Sequence, residues 1–393
     1  MSETHDGPCS SHFRPLPFKG NTNLAALAAG EAAPPAGMTE EMLHHLCHAP
    51  RGSCVAWGIP FEVGNVLAIA DGPVSVEVGP IQARWIVFLH TSDMRPLRPG
   101  PGGIISPLHG QGMLAEHAAD YVLCYADGSE ARATIRRRHQ VGPFQRHWGE
   151  NCFQCVAQHK PQPNRGAQEQ LQPHWGLTQI RATAADEGLW VNWVWAWENP
   201  HPERAIAGLR FEPGTGVVVV SAISVGDTAT LPLRWQTRRK ARLALPEGEA
   251  FQPDLDQDGL LAQIQLDLGQ VISATPRLIY PNDTWPDTYN NQLPQVAAHE
   301  LIVEYTAHPD ACFHLSGPAG SRVVPVSAVE GAGGNRLWVH VADAAALLPP
   351  GSPVDLEARA RASSLYLPEE IVAMLPPALM DSSLTFSETS RTV

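Results

Sequence analysis

Between residues 52 and 345 the chain is a succession of short apolar or alternating runs, punctuated by Gly, Pro, Asn and Asp. That is the pattern of strands joined by tight turns. Val63 to Ala70 and Val74 to Val78 flank the turn signal Asp71-Gly72, and Ala83 to Leu89 is a mostly apolar run ending at His90-Thr91. Tyr121 to Tyr125 leads through Ala126-Asp127-Gly128-Ser129 into the alternating run Ala131 to Arg136. Asp-Gly between two such runs is a strong short-range signal for a hairpin. Leu189 to Glu198, Ile206 to Phe211 and Val217 to Val225 continue the series. In a second block, Arg242 to Pro246, Ala262 to Leu268, Leu301 to Tyr305 and Leu337 to Val341 are the expected strands. Helical patterning is peripheral. Thr39 is placed to cap a helix through Leu46, with Glu40 and Glu41 where the helix dipole favours acids. Pro368 to Leu375 is a second expected helix, with Pro near its start.

The pattern predicts an all-β chain built from two β-sandwich domains, the first a jelly roll, with short peripheral helices. The expected divisions are an N-terminal extension with a short helix (1–51), the jelly roll (52–227), a second sandwich (228–346), and a short helix with a polar tail (347–393). Ser382 to Val393 reads as a linker, so a longer polypeptide with a catalytic domain beyond it is consistent with the sequence.

Composition sharpens this picture. Only 17% of residues are charged, while Gly 33 and Pro 36 are abundant, which argues against a coiled coil or helical bundle and agrees with many turns. The net charge of −13 disfavours an extended phosphate-binding surface, so no nucleic-acid partner is expected. Arg136-Arg137-Arg138-His139 is the exception, and after a strand it reads as a solvated face or turn. No apolar stretch is long enough for a transmembrane helix. Met1 to Asp6 has neither a basic nor an apolar signal region, and the 7 cysteines are scattered and odd in number. A reduced, cytoplasmic setting is the expectation.

Candidate chemistry is dispersed. Trp193, Trp195 and Trp197 share one face of a strand, where they suit either sugar stacking or, more simply, a thick core. The loop Tyr280 to Asn291 interleaves aromatic, acid and amide side chains. In it Trp285 would stack on a ring ligand while Asp287, Tyr289 and Asn290 bond its hydroxyls; the alternative is a rigid connecting loop. His147, Cys152, Cys155 and His159 have zinc-like but compact spacing, and two unligated cysteines are the plainer alternative. Asp254, Asp256 and Asp258 before Gly259 begin like a calcium loop, but Gln265 stands where a bidentate Glu is required, so a solvated acidic turn is the simpler reading. His308, Asp310, Cys312 and His314 would share one side if extended, whereas Pro309-Asp310 favours a turn. No cofactor is required, and zinc and calcium are the metals these spacings would allow. There is no Gly-x-Ser-x-Gly elbow, Walker loop or His-Glu-x-x-His, and no acid is singled out as catalytic.

Four segments together resemble the galactose-binding-like jelly-roll modules of bacterial carbohydrate-active enzymes. They are Gly58 to Phe61, Phe88 to Thr91, Tyr121 to Ser129 and Trp197 to Ile206, and the resemblance covers about residues 52–225. It implies a carbohydrate-recognition or accessory module of a glycan-processing protein, with a polysaccharide or oligosaccharide as partner. Such a chain would not itself be an enzyme and would pair with a catalytic domain or with copies of itself. Two alternatives are a glycoside hydrolase or polysaccharide lyase acting in the inter-domain cleft, and a structural or assembly protein.

Overall fold

The computed structural model of the protein describes residues 6–95, 114–146, 151–164, 190–235, 237–246, 249–279, 295–318, 320–331, 352–361, 365–366 and 371–372. These residues are mostly strand with a few short helices. The chain divides at Gly334 into two compact units, Met1–Gly334 and Asn335–Val393.

The first unit opens with β1 (Phe13–Pro15), α1 (Leu24–Ala28) and α2 (Glu40–His45), followed by β2 (Gly52–Ala56), β3 (Ile59–Val63), β4 (Leu67–Ile69), β5 (Val74–Ile81) and β6 (Trp85–Ser92). Next come β7 (His117–Tyr125), β8 (Glu130–Arg136), β9 (Val156–Ala157), β10 (Trp193–Glu198), β11 (Ile206–Pro213) and β12 (Val218–Gly226). Two antiparallel sheets result. One has the order β1-β12-β6-β10-β9 with β4 also on β12, and the other the order β5-β11-β7-β8. The expected hairpin is present: β7 and β8 are joined across Asp127-Gly128, with Gly128 at φ +83° and its N–H donating to Tyr125 O at 3.0 Å. Asp71-Gly72 is a bend rather than a hairpin, since the strands on either side pair into different sheets.

β6 and β12 are buried at every position. Their near-continuous apolar runs reflect a sheet covered on both faces, which removes the alternation of a half-wet strand. On one face, Phe88, Trp193, Trp195, Trp197 and Ile223 meet Tyr121, Phe211, Leu123 and Ile135 of the other sheet. The ring of Phe88 lies 5.6 Å from Trp195 and 4.8 Å from Tyr121. The Trp-rich face of β10 is therefore core. On the opposite face, Trp85, Val87, Val194 and Ala196 meet Met42 and Leu46 near α2, the β2–β3 hairpin, and apolar residues of the second block. α2 begins as the sequence indicates, with Thr39 Oγ1 accepting from Met42 N at 3.2 Å. α1, capped by Asn23, is a further short helix in the N-terminal extension.

The basic run is not uniformly solvated. Arg137 is 2% exposed and pairs with Asp93 at 2.6 Å. Its neighbour Arg138 has φ +60°, which turns the chain and sends Arg137 inward.

The second block comprises β13 (Arg239–Ala244), β14 (Ile264–Leu266), β15 (Gly269–Ile279), β16 (Gln295–Ala307), β17 (Cys312–Gly317) and β18 (Gly320–Pro325), then α3 (Val326–Gly331). It forms two three-stranded sheets, β13-β16-β15 and β14-β17-β18. The turn reading of Pro309-Asp310 holds. His308 Nδ1 accepts from Asp310 N at 3.0 Å, and its other ring nitrogen lies 2.8 Å from Thr230 Oγ1.

The second unit contains α4 (Pro353–Arg361) and the short pair β19 (Leu365–Tyr366) and β20 (Ile371–Val372). The helix expected over 368–375 is thus replaced by strand at Ile371-Val372, where two successive β-branched residues favour pairing with Leu365-Tyr366. The expected strand Leu337 to Val341 lies outside the described residues. Among the described residues, no helix is long and apolar enough to cross a membrane.

Candidate functional site

A cavity of about 700 Å³ opens in the first unit beside β9, the edge strand of the larger sheet. Its placement begins at the β2–β3 hairpin. Trp57 and Gly58 form that two-residue turn with φ +55° and +78°, the geometry of a type I′ turn. A Cβ on Gly58 would stand 2.2 Å from Asp267 O, so only glycine lets the turn sit against the chain entering β15. The turn delivers the Trp57 indole to the cavity wall, where Nε1 donates to Ala157 O at 2.6 Å. Asp6 fixes two neighbouring pieces of chain, accepting from Trp57 N at 2.9 Å and Lys160 N at 2.8 Å. Burial pushes the Asp6 carboxyl up to about 6, against the opposing pull of Lys160 and His159.

Three tryptophans line the cavity: Trp57, Trp193 and Trp235. Trp57 and Trp235 are 5.7 Å apart at an interplanar angle of 49°. Trp193 Nε1 donates to Pro143 O at 2.8 Å, and the Arg146 guanidinium lies 5.9 Å over its ring. Arg234 reaches the same wall, donating to Cys155 O at 2.7 Å and to Cys152 O. Gln270 and Thr306 stand opposite each other on β15 and β16, and both line the cavity. Two buried donors here have no hydrogen-bond partner among the described residues: Gln270 Nε2 and Trp235 Nε1. Among the described residues the lining contains arginines and a histidine but no Asp or Glu. Chemically, this arrangement offers aromatic faces, fixed positive charge and free donors to a planar, acceptor-rich anion.

The residues singled out from sequence are distributed differently. Trp285, Asp287, Tyr289 and Asn290 lie outside the described residues, as does His147. Cys152, Cys155 and His159 all line the cavity. The two thiols are buried next to each other, and burial with the Cys152 neighbour pushes the Cys155 thiol well up. A buried thiol held protonated is a poor nucleophile or metal ligand. His159 Nε2 lies 3.0 Å from Gln158 Nε2. Among the described residues, no three His, Cys, Asp or Glu side chains are grouped so as to hold a metal ion. Asp256 instead organises its own turn, its Oδ1 accepting from Asp258 N and Leu260 N at 3.0 and 2.9 Å. Around His314, Nε2 lies 3.8 Å from Asp267 Oδ2, while Asp267 Oδ1 accepts from Cys312 N at 2.7 Å.

Sequence reasoning missed Trp57, Trp235, Arg234 and Gln270. The legible signal was Trp57-Gly58 between two apolar runs, a candidate I′ turn that would present a tryptophan at its tip. Gln270 has no local signal, because its role depends on strand register.

The comparisons with known proteins fall elsewhere in the chain. Residues 323–393 match the RNB domain family. In this stretch the described elements are the end of β18, α3, α4, β19 and β20. Over 61 residues the chain is 48% identical to an uncharacterized ribonuclease, sll1290, of Synechocystis sp., covering 16% of this chain and 9% of that protein. It is 47% identical over 47 residues to ribonuclease R of Escherichia coli, covering 12% and 6%. It is 48% identical over 44 residues to the chloroplastic/mitochondrial ribonuclease II of Arabidopsis thaliana, covering 11% and 6%. The chain therefore spans less than a tenth of the length of these relatives.

These matches overturn the carbohydrate reading. They point to RNA-degrading enzymes in place of a galactose-binding-like module, a polysaccharide partner, or a glycoside hydrolase or lyase. They equally overturn the inclination to a non-enzymatic chain and the exclusion of nucleic acid. The physical reason is that strand-and-turn patterning reports architecture, and architecture does not select a ligand.

Proposed function

We propose that this chain is part of an RNA-degrading ribonuclease, with residues 323–393 contributing to an RNB domain. The observation that carries the reading is the match of this segment to the RNB family, supported by 48% identity over 61 residues to a protein named as a ribonuclease. We also infer that the two larger sheets form a jelly-roll sandwich and that β13–β18 form a smaller one. Their place in a ribonuclease would be to carry and orient RNA-contacting surfaces.

A divalent metal such as magnesium is typical of RNB ribonucleases. The described residues do not fit one. Asp355 and Glu357 are two positions apart on α4 and so lie on different faces of the helix. No metal-ligating group of three is present among the described residues.

The test is incubation of the full 393-residue chain with 5′-labelled single-stranded RNA and magnesium, resolved on a denaturing gel. The expected result is progressive shortening of the RNA, proportional to protein concentration. RNA that stays intact and is also not retained by the folded protein in a mobility-shift assay overturns the reading.

A further inference from the structure

We propose that the cavity beside β9 is a binding site for a ribonucleoside monophosphate, with the base stacked against the tryptophan wall and the phosphate drawn to the arginine side. The cavity chemistry by itself calls for a planar anion. The choice of a nucleotide among planar anions rests on the ribonuclease reading, which makes nucleotides the available product.

Five observations converge. The volume of about 700 Å³ lies within the range of small-molecule sites. Trp57 and Trp235 are tilted 5.7 Å apart at the wall, and exposed Phe153 joins the lining. Aromatic side chains stack on any base, because every base has a π-face. Arg234 is anchored by two backbone carbonyls rather than by a carboxylate, so its charge is not neutralised by an ion pair among the described residues. Among the described residues no acid lines the cavity to repel a phosphate. Finally, Gln270 is 8% exposed, and its Nε2 has no partner among the described residues. An unpaired donor buried in a cavity wall is costly unless a ligand acceptor satisfies it. A base edge, rich in ring nitrogens and carbonyls, supplies that acceptor.

Gln270 and Trp235 are binding residues in this proposal, and Arg234 attracts the phosphate from a position fixed by the Cys152–Cys155 backbone. Gln270 also gives a discriminating variant. Replacing an unsatisfied buried amide by an apolar side chain of similar size leaves stability unchanged or raises it. A purely structural role predicts the opposite.

The experiment is calorimetric titration of the full chain with each of the four ribonucleoside 5′-monophosphates, the matching nucleosides and inorganic phosphate, with tryptophan fluorescence as a second readout. The expected result is saturable binding of at least one monophosphate, with its nucleoside and phosphate each at least about tenfold weaker. Gln270→Leu should weaken binding about tenfold without lowering the melting temperature. Trp235→Leu should weaken it roughly five- to a hundredfold and reduce the fluorescence change. The proposal is overturned by absence of saturable binding into the millimolar range, by binding untouched in both variants, or by a nucleoside binding as tightly as its monophosphate. The RNA assay separates the two readings. Cleavage without nucleotide binding removes the cavity assignment and leaves the ribonuclease reading standing, whereas nucleotide binding with neither cleavage nor retention of RNA supports the cavity and removes the ribonuclease.

Discussion

Replacing Arg137 by Met should unfold the first unit at a much lower temperature, although Arg137 belongs to a short basic run that reads as surface. Its Nη2 donates to Asp93 Oδ1 at 2.6 Å and Thr215 O at 2.7 Å, and its Nη1 to Ser92 Oγ at 3.0 Å and Asp93 O at 2.8 Å. Its Nε lies 3.1 Å from Glu116 Oε2, close enough for an ion pair but without hydrogen-bond alignment. Both Arg137 and Asp93 are 2% exposed. Asp93 also accepts from Val217 N at 3.0 Å, so the pair ties β6 to the start of β12 and to the turn after β8. The site has no slack: a Cβ on Gly216, at φ +69°, would stand 2.5 Å from both Asp93 carboxylate oxygens. Breaking a buried pair from one side costs about 3–5 kcal/mol, and the one cation left near Asp93 among the described residues is the partly solvated Arg95, 3.7 Å from Oδ2, which places the loss at the lower end. At roughly 2–4 °C per kcal/mol for a unit of this size class, the melting temperature should fall by roughly 10 °C. Asp93→Asn should lose less, because the amide retains an acceptor for Val217 N. Circular-dichroism melts of Arg137→Met, Asp93→Asn and the double variant would measure this, with the double variant losing less than the sum of the singles. A loss below about 1 kcal/mol for Arg137→Met would refute the reasoning, since it would mean that Asp93 finds other compensation.

Three further outcomes follow from the same geometry. Trp195→Ala should cost about 3–5 kcal/mol, read by urea unfolding, because the side chain is 6% exposed and packs on Phe88, Tyr121 and Trp197; a near-neutral result would contradict its place in the core. Gly58→Ala should disturb the cavity as well as stability, detected as a change in tryptophan emission, since its Cβ would meet the Asp267 backbone. Acid titration should expose two opposing groups. Burial lowers His90 from 6.5 to about 4, so the stability from its neutral form is present above 6.5 and lost as pH falls through that window. Burial raises Asp6 from 3.8 to about 6, so its contribution runs the other way, growing as pH falls from about 6 towards 4. Relative to the parent, Asp6→Asn should lose melting temperature more steeply on acidification and His90→Gln less steeply. Parallel curves for all three proteins would remove both assignments.

The parts of the fold that were legible in sequence are those set by local chemistry. The Asp127-Gly128 hairpin, the Thr39 cap and the Pro309-Asp310 turn each depend on residues within a few positions of each other. The Trp193, Trp195 and Trp197 face was legible as a candidate core from a period of two alone. The cavity was not, because Trp57, Trp193, Trp235 and Gln270 meet only once β9, β15 and the hairpin turn are in place. Arg137 misled for a related reason: its environment is set by Asp93, 44 positions away, and by the φ of Arg138.

Net charge misled most. A total of −13 describes the sum over the chain, whereas a phosphate responds to the groups within roughly a Debye length of about 8–10 Å. Many of the described arginines are committed to carboxylates. Arg84 pairs with Glu198, Arg132 and Arg210 share Glu212, Arg204 meets Asp127, and Arg277 meets Glu300. These pairs neutralise themselves and attract nothing. Arg234 is different, because it is anchored by carbonyl oxygens that carry no net charge. An acidic chain can in this way keep one positive cavity, provided that the acids stay out of its lining. The composition argument excludes a long cationic track with a steep salt dependence. It does not exclude a single local anion site, where a few cations and stacking surfaces act together. The binding predicted for the cavity should accordingly weaken with salt by little more than the one phosphate it would hold, and a steep salt dependence would place the nucleotide on some other surface.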